Sequence, residues 1–178
     1  MAGTSGFLNE IASDARALER VPYPDMRIAL SADHAGFDLK QELLAKLSQH
    51  GHELLDLGTH SRAPVDYPDS ADAVGRALRD RQAERGIIVC GSGAGVSIAA
   101  NKFPGVRAAV CHDTYTAHQA VEHDDMNVLC IGARVIGAAL ALEIASAFLA
   151  ARFSGEERHQ RRLDKLIAIE RRFMQDCG

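Results

Sequence analysis

The residues best suited to chemistry are a cysteine and the glycine-rich stretch that follows it. An apolar run at 87–89 ends in Cys90, and Gly-Ser-Gly-Ala-Gly continues from 91 to 95. A small-residue helix is predicted to begin there, so the thiol lies beside the positive end of a helix and a row of free backbone N–H groups. A cysteine in that position can act as a base or nucleophile, and the N–H groups can hold an oxyanion or a phosphate.

A second pair of polar residues follows another apolar run. Asp33 and His34 come directly after the predicted strand at 26–31. In an open parallel sheet, ligands bind beyond the carboxyl ends of the strands, where the strand order reverses. If the two apolar runs are neighbouring strands, a carboxylate, an imidazole and a thiol meet in one crevice although they are far apart in the sequence.

Each of these three residues also has a plainer structural explanation. Asp33 could cap the helix that follows it, His34 could be a solvated loop histidine, and Cys90 could be a small buried core residue. A nucleotide site is a poor match, because the spacing G-x-G-x-G after the third strand differs from the dinucleotide fingerprint, and the Gly-Lys-Ser/Thr of the NTPase loop is absent.

Two further clusters carry titratable side chains. A metal site could be imagined from His112, His118 and His123, but these histidines are not spaced four apart on one helix face, so no metal is expected. The adjacent Asp124 and Asp125 suit a solvated turn.

Arg158 and Arg162 lie four residues apart on the predicted last helix. Two guanidinium groups on one helix face suit a phosphate. An ordinary charged surface is the equal alternative, since Glu156 and Glu157 are close enough in sequence to pair with them.

The elements that must position these residues alternate along the chain. Near-continuous apolar runs predict strands at 26–31, 52–57, 86–90, 106–111 and 127–132, and helical spacing predicts helices at 36–49, 69–83, 94–102, 114–122, 136–152 and 156–175. This alternation predicts an α/β fold: a doubly wound five-stranded parallel sheet, flavodoxin-like (Rossmann-like), with strand order 2-1-3-4-5 and helices on both faces.

Size and composition favour one globular domain, at residues 26–178. The chain has 178 residues, of which 47% are apolar, and a net charge of −4. The acidic balance argues against nucleic acid as a partner, and no apolar run is long enough to cross a bilayer. The four cysteines, which form no C-x-x-C pair, suit a reducing compartment, so a cytoplasmic location is expected. They are Cys90, Cys111, Cys130 and Cys177.

Residues 1–25 are predicted to form an N-terminal helical extension. Phe7, Ile11, Ala15 and Leu18 have helical spacing, and prolines at 22 and 24 would end the helix. A disordered tail is the alternative, and no chemistry is expected of this segment.

Taken together, the motifs resemble the ribose-5-phosphate isomerase B family, which shares its fold with the galactose-6-phosphate isomerase subunits. The resemblance runs in order from about residue 26 to residue 172. The matching stretches are Ser-Ala-Asp-His-Ala-Gly at 31–36, Val-Asp-Tyr-Pro at 65–68, 90–95, 98–102, 127–128, Gly-Ala-Arg-Val at 132–135, and Arg-His-Gln at 158–160 with Arg162.

The resemblance implies an aldose–ketose isomerase that interconverts ribose 5-phosphate and ribulose 5-phosphate through a cis-enediolate, without a metal or cofactor. It implies that Cys90 is the base that moves a proton between C1 and C2, and that Ser92 bonds near the reacting oxygens. The amides of the turn, including Gly91, Gly93 and Gly95, would hold the enediolate. Asp33 and His123 match residues that open the furanose ring.

The remaining positions match ligands of the sugar phosphate. By this resemblance His34, Arg158 and Arg162 bind the phosphate, and Tyr67 and Arg134 line the same pocket. The implied assembly is a homodimer with shared active sites, a tetramer being the alternative, and the partner subunit would contribute His123, Asp124 and Arg134.

One position departs from the family and bears on the choice of sugar. The family commonly has Asn where this chain has Asp124, and an ionised carboxylate only accepts hydrogen bonds whereas an amide also donates. A six-carbon aldose 6-phosphate, such as allose or galactose 6-phosphate, is therefore an alternative substrate. A non-catalytic sugar-phosphate sensor on the same fold is the remaining alternative.

Overall fold

The structure, a computed structural model, describes residues 26–175. The helix predicted within residues 1–25 lies outside the described residues. Five strands alternate with helices in the described part of the chain. The strands are β1 (Arg27–Ala32), β2 (Glu53–Asp56), β3 (Arg85–Cys90), β4 (Ala108–Val110) and β5 (Val128–Gly132), and the helices are α1 (Phe37–Leu47, continued by a 3₁₀ turn at Ser48–His50), α2 (Tyr67–Arg79), α3 (Ala94–Ala100), α4 (Thr114–Asp124), α5 (Ala138–Ala150) and α6 (Glu157–Gln175).

The strands form one parallel sheet, which confirms the predicted α/β fold class. The observed order is β2-β1-β3-β5-β4, so the predicted order of the last two strands was wrong. Every residue of β5 is buried, whereas the three residues of β4 are only partly buried. A strand covered on both faces belongs beside β3 in the centre, and a short, half-covered strand tolerates the edge.

Two hydrophobic clusters, one on each face of the sheet, hold the helices in place. Because side chains alternate along a strand, Ile87 and Ile88 of β3 belong to opposite clusters. Ile87 packs with α1, α4 and α5, where Phe148 is fully buried, and Ile88 packs with α2 and α3, where Val74 is fully buried. Each such side chain contributes about 1.5–3 kcal/mol when it is buried.

The strand order reverses between β1 and β3, and their carboxyl ends are in register. Ala32 pairs with Val89, and the Asp33 amide donates to the Val89 carbonyl at 3.1 Å. The residues that follow, Asp33 and Cys90, therefore lie side by side at one edge of the sheet, as the sequence predicted.

Helix α2 begins at Tyr67, two residues before the predicted start. Pro68 is tolerated there because the first residues of a helix have no intrahelical partner for their N–H groups. This earlier start places Tyr67 on the first turn of a helix rather than in a loop.

Candidate active site

A cavity of about 360 Å³ opens at the carboxyl edge of the sheet, between β1 and β3. It brings together most of the residues that the sequence predicted for a catalytic crevice. Its lining residues are Asp33, Tyr67, Cys90, Gly91, Ser92, Gly95, Arg134 and Val135. Val135 belongs to the matching stretch at 132–135 but was not among the predicted site residues, because an apolar residue after a strand is ordinary.

Cys90 is the last residue of β3, and its side chain faces a backbone donor. The Gly93 amide donates to Cys90 Sγ at a distance of 3.1 Å. Gly93 has φ +83°, a conformation that favours glycine, and this lets the chain fold back over the sulfur. A donor aimed at the sulfur stabilises negative charge there, which is the state that a base or nucleophile requires.

The other two cysteines within residues 26–175 are unsuited to this chemistry. Burial raises the pKa of Cys111 to about 11, with Asp113 adding to the effect, and burial raises the pKa of Cys130 further. Neither thiol lines the cavity. Among the described cysteines, only Cys90 combines a cavity with a backbone donor.

The glycine turn leaves room that side chains would fill. A Cβ on Gly95 would lie 2.9 Å from the ring of Tyr67, and a Cβ on Gly91 would lie 3.6 Å from the side chain of Arg134. Ser92 is exposed, and its Oγ accepts the Ala94 amide at 3.3 Å. The turn therefore presents backbone to the cavity, framed by an aromatic ring and a guanidinium group.

Asp33 is buried, and its two carboxylate oxygens suit different roles, one in holding the backbone and one in chemistry. Its Oδ1 accepts the amides of Ala35 and Gly36, at 2.9 and 3.0 Å, and so holds the turn before α1. Its other oxygen makes no hydrogen bond with residues 26–175, and the residue lines the cavity. One carboxylate oxygen thus fixes the side chain while the other is available to a ligand.

His34 lies next to Asp33 but does not line the cavity. Its Nδ1 is 3.3 Å from both the amide and the carbonyl of Val65, two residues before Tyr67. The imidazole thereby connects the start of α1 to the loop that carries Tyr67, and it is half-buried rather than fully solvated.

Arg134 belongs to the cavity of its own chain. Its amide donates to the Gly91 carbonyl at 3.0 Å, and the preceding amide of Ala133 donates to the Cys90 carbonyl at 2.8 Å. These two bonds tie the loop after β5 to the turn after β3 and place the guanidinium over Gly91. The expectation that a partner contributes Arg134 was therefore wrong, because β5 is the direct neighbour of β3.

Besides His34, five of the predicted site residues do not line this cavity in the chain that carries them. Gly93 is buried in the turn, where an added Cβ would meet Val110 and the backbone of Ile131. His123 and Asp124 are at the end of α4, and Arg158 and Arg162 are on the first turns of α6. Arg158 pairs with Glu156 at 2.8 Å between exposed side chains, whereas Arg162 makes no ion pair with a described residue.

A stacked pair of histidines joins α4 to α6. The rings of His123 and His159 have centroids 4.1 Å apart at an interplanar angle of 28°. Gln119 Nε2 lies 3.0 Å from His123 Nδ1, and Ser154 Oγ lies 2.6 Å from His159 Nδ1. Burial, with the neighbouring His123 ring as a smaller cause, lowers the pKa of His159. Sequence reasoning missed this pairing, since 36 residues separate the rings.

Residues 26–175 contain neither a metal-binding cluster nor a membrane-spanning helix. No group of three His, Cys, Asp or Glu side chains in this range is arranged to hold a metal ion. None of the helices in this range is long and apolar enough to cross a membrane.

Comparison with known proteins gives one consistent family. The model of the family described as Ribose/Galactose Isomerase matches residues 28–166. Ribose-5-phosphate isomerase B of Escherichia coli is 46% identical over 146 residues, which cover 82% of this chain and 97% of that protein. A D-erythrulose-4-phosphate isomerase of Pectobacterium atrosepticum is 43% identical over 132 residues, covering 73% and 86% of the two chains. The solved structure of Clostridium thermocellum ribose-5-phosphate isomerase B is 45% identical, with a TM-score of 0.81 over 83% of this chain and 99% of that one.

Proposed function

Because this chain belongs to the ribose/galactose isomerase family, we propose that it is an aldose–ketose isomerase that interconverts ribose 5-phosphate and ribulose 5-phosphate. The observation that carries the proposal is the position of Cys90, which is among the residues that line the cavity and whose sulfur accepts the amide of Gly93.

In the proposed reaction the thiolate of Cys90 removes the proton from C2 of the open-chain aldose. The electron pair forms the C1–C2 double bond, and the carbonyl oxygen on C1 becomes an oxyanion. Cys90 then delivers a proton to C1, after the proton on its sulfur has had the chance to exchange with solvent, and the C2 oxygen forms the new carbonyl as its hydroxyl proton passes to O1. No oxidant or reductant is consumed, so the side chain needs only to be a base of suitable strength and position.

The turn from Gly91 to Gly95 is the proposed site for the enediolate oxygens. Gly91 and Gly95 keep Cβ atoms out of the space between the backbone and the sugar. Fixed amide donors aimed at developing charge are worth about 10²–10³ in rate for each donor. Ser92 Oγ lies at the same turn and is proposed to bond near the reacting oxygens.

Binding of the phosphate and opening of the sugar ring need more groups than a single chain brings to this cavity. We assign His34, Arg158 and Arg162 to the phosphate, and Asp33 with His123 to ring opening. A homodimer in which α4 and α6 of a second copy reach the cavity would supply the missing side chains. Three exposed apolar residues on α6, Leu166, Ile169 and Phe173, are 47%, 51% and 62% exposed and offer a surface for such a partner.

The choice of sugar is tested by a substrate panel. We expect ribose 5-phosphate to have a higher kcat/KM than allose 6-phosphate, galactose 6-phosphate or erythrose 4-phosphate. A six-carbon substrate remains the second candidate, because Asp124 of a second copy would bring a negative charge and no donor to the sugar, where an Asn would also donate. Preference for a six-carbon sugar in the native chain, reverting to ribose 5-phosphate in Asp124→Asn, would favour that candidate.

Exchange of a sugar proton with solvent distinguishes an isomerase from a non-catalytic sensor. In D₂O, the enzyme should incorporate deuterium at C1 of ribulose 5-phosphate, and Cys90→Ala should abolish incorporation while still binding the sugar. Tight binding by the native chain without any exchange would refute the isomerase and support a sensor.

A further inference from the structure

The histidine stack between α4 and α6 contains groups that the proposed reaction does not yet use. His159 is 1% exposed, although it is a titratable side chain on an otherwise exposed helix turn. Gln119 lies one turn before His123 on α4. His159 and Gln119 both contact the ring of His123, so we expect each of them to act on the reaction through that ring.

Gln119 determines which nitrogen of a neutral His123 carries the proton. The atom of Gln119 that lies 3.0 Å from His123 Nδ1 is Nε2, and a primary amide nitrogen only donates. His123 Nδ1 must therefore accept, and the proton of the neutral ring lies on Nε2. A histidine in this form presents a donor to a ligand.

His159 determines the plane of the His123 ring. Its own Nδ1 is paired with Ser154 Oγ, and the Ser154 amide donates to the Glu122 carbonyl at 2.9 Å. The His159 ring is thus held at the end of α4 by its stacking on His123 and, through Ser154, by the hydrogen bond to the Glu122 carbonyl. A fixed neighbour at 4.1 Å leaves His123 little freedom to rotate.

Charged side chains also surround the stack. Glu122 Oε2 lies 4.0 Å from His123 Nε2 and 3.6 Å from His118 Nδ1. Arg158, Arg162 and Glu156 lie around His159 from α6 and the turn before it. Burial is the main cause that lowers the pKa of His159, which disfavours a charged ring stacked against His123.

We propose that Gln119 and His159 are positioning residues that hold His123 as an Nε2–H donor to the ring oxygen of a furanose sugar phosphate. The inference rests on the proposed function. Ring opening transfers the proton of the C1 hydroxyl to Asp33 and breaks the bond between C1 and O4. The neutral His123 donates an Nε2–H hydrogen bond to the negative charge that develops on O4 and keeps its own proton, while the proton taken up by Asp33 is returned to O4, so no co-reactant is required.

The step can be isolated because ribulose 5-phosphate cannot form this ring. Its carbonyl is on C2 and its O5 carries the phosphate, so no hydroxyl is available to close a five-membered ring. Exchange of its C1 proton with D₂O therefore measures the enediolate chemistry alone, whereas conversion of ribose 5-phosphate also requires ring opening.

The first test uses Gln119→Glu, which reverses the hydrogen bond, with Gln41→Glu on the exposed face of α1 as the matched control. We expect ¹⁵N NMR to show neutral His123 protonated on Nε2 in the native chain and in the control, and on Nδ1 in Gln119→Glu. Conversion of ribose 5-phosphate should fall at least about tenfold in Gln119→Glu, as for the loss of a hydrogen-bond donor aimed at a developing oxyanion, while C1 exchange of ribulose 5-phosphate is unchanged.

The second test removes the stacking ring. His159→Ala should lose conversion of ribose 5-phosphate and keep C1 exchange, while His159→Phe, which retains a flat ring, should recover most of the conversion. An Nδ1–H tautomer in the native chain, or equal loss of both reactions in these variants, would overturn the inference. Absence of C1 exchange in the native chain would instead refute the isomerase itself, whatever the tautomer.

Discussion

The ring of Tyr67 packs directly against Gly95, at a distance that leaves no room for a methyl group. A Cβ on Gly95 would lie 2.9 Å from Cε2 of Tyr67, which is itself 44% exposed and so free to move outward. Helix α3 and the first turn of α2 therefore pack together at the wall of the cavity because residue 95 has no side chain.

Gly95→Ala should raise KM and should lower the free energy of unfolding only slightly. The methyl group displaces Tyr67 from the cavity wall, while an alanine in a helix gains up to about 1 kcal/mol over glycine. Steady-state kinetics and thermal unfolding of the variant measure the two effects. Gly137→Ala, at a glycine with nothing within 4 Å of its added Cβ, is the control. An unchanged KM in Gly95→Ala would show that Tyr67 does not shape the site.

The sheet and the meeting of Asp33 with Cys90 were predictable from the sequence. Both follow from long apolar runs, because a strand that is buried on both faces must be apolar throughout, and from the rule that ligands bind where the strand order reverses. The order of β4 and β5 was not predictable, since both are short apolar runs and only their packing shows that β5 is covered on both faces.

Side-chain partnerships across the fold were also beyond sequence reasoning. Arg134 enters its own cavity because its backbone binds the Gly91 carbonyl, a contact between residues 43 positions apart. The position of His159 against His123 depends on how α6 leaves α5, through the turn at Ser154. Local spacing carries no information about either contact.

Alkylation should distinguish Cys90 from the buried thiols. With a pKa of about 11, Cys111 is a thiolate in only about one part in a thousand at pH 8, and Cys130 less. Iodoacetamide should therefore modify Cys90 faster than either, with loss of activity, and ribose 5-phosphate should protect it. Peptide mapping identifies the modified thiol and separates it from Cys177. Faster modification of Cys111 would contradict the assignment.

Lys40 is a buried cation that holds the loop next to Asp33. It is 0% exposed, and its Nζ binds Asp56 and, at 2.9 Å, the Thr59 carbonyl. The Thr59 amide donates in turn to the carbonyl of Ala32, the residue before Asp33. Lys40→Met should cost about 2–3 kcal/mol of unfolding free energy, because it leaves a partly buried carboxylate unpaired.

The measurement for Lys40→Met is denaturant unfolding together with kcat. Lys46→Met, on the exposed side of the same helix, is the matched control and should change stability by less than about 0.5 kcal/mol. If Lys40→Met were as stable and active as the control, the buried ion pair would have no role in holding the loop beside Asp33.

Stability should fall as the solution becomes acidic, and His159 should contribute to the fall. Its pKa in the folded chain is below the ordinary value of 6.5, chiefly because of burial. As the pH falls, His159 therefore takes up a proton in the unfolded chain before it does so in the folded chain. Its contribution to the free energy of unfolding is complete above about pH 6.5 and is lost as the pH falls from there toward the pKa of His159 in the folded chain. Burial also lowers the pKa of His52, which adds to the trend.

The check is the unfolding free energy at about pH 8 and about pH 5.5. The difference between the two should be smaller in His159→Phe than in the native chain, and unchanged in His60→Phe, at an exposed histidine. A difference as large in His159→Phe as in the native chain would mean that His159 is protonated equally in both states.

The sharing of sites between two copies can be tested by mixing inactive variants. If Cys90 of one copy works with His123 of the other, then a dimer of Cys90→Ala with His123→Ala has one site with both residues intact and one site with neither. Random pairing of equal amounts gives half mixed dimers, each with one of its two sites active, so refolding the mixture should restore about a quarter of native activity. Each variant refolded alone is the control. Recovery no greater than the mean of the two controls would show that both residues act within a single chain, although His123 does not line the cavity that contains Cys90.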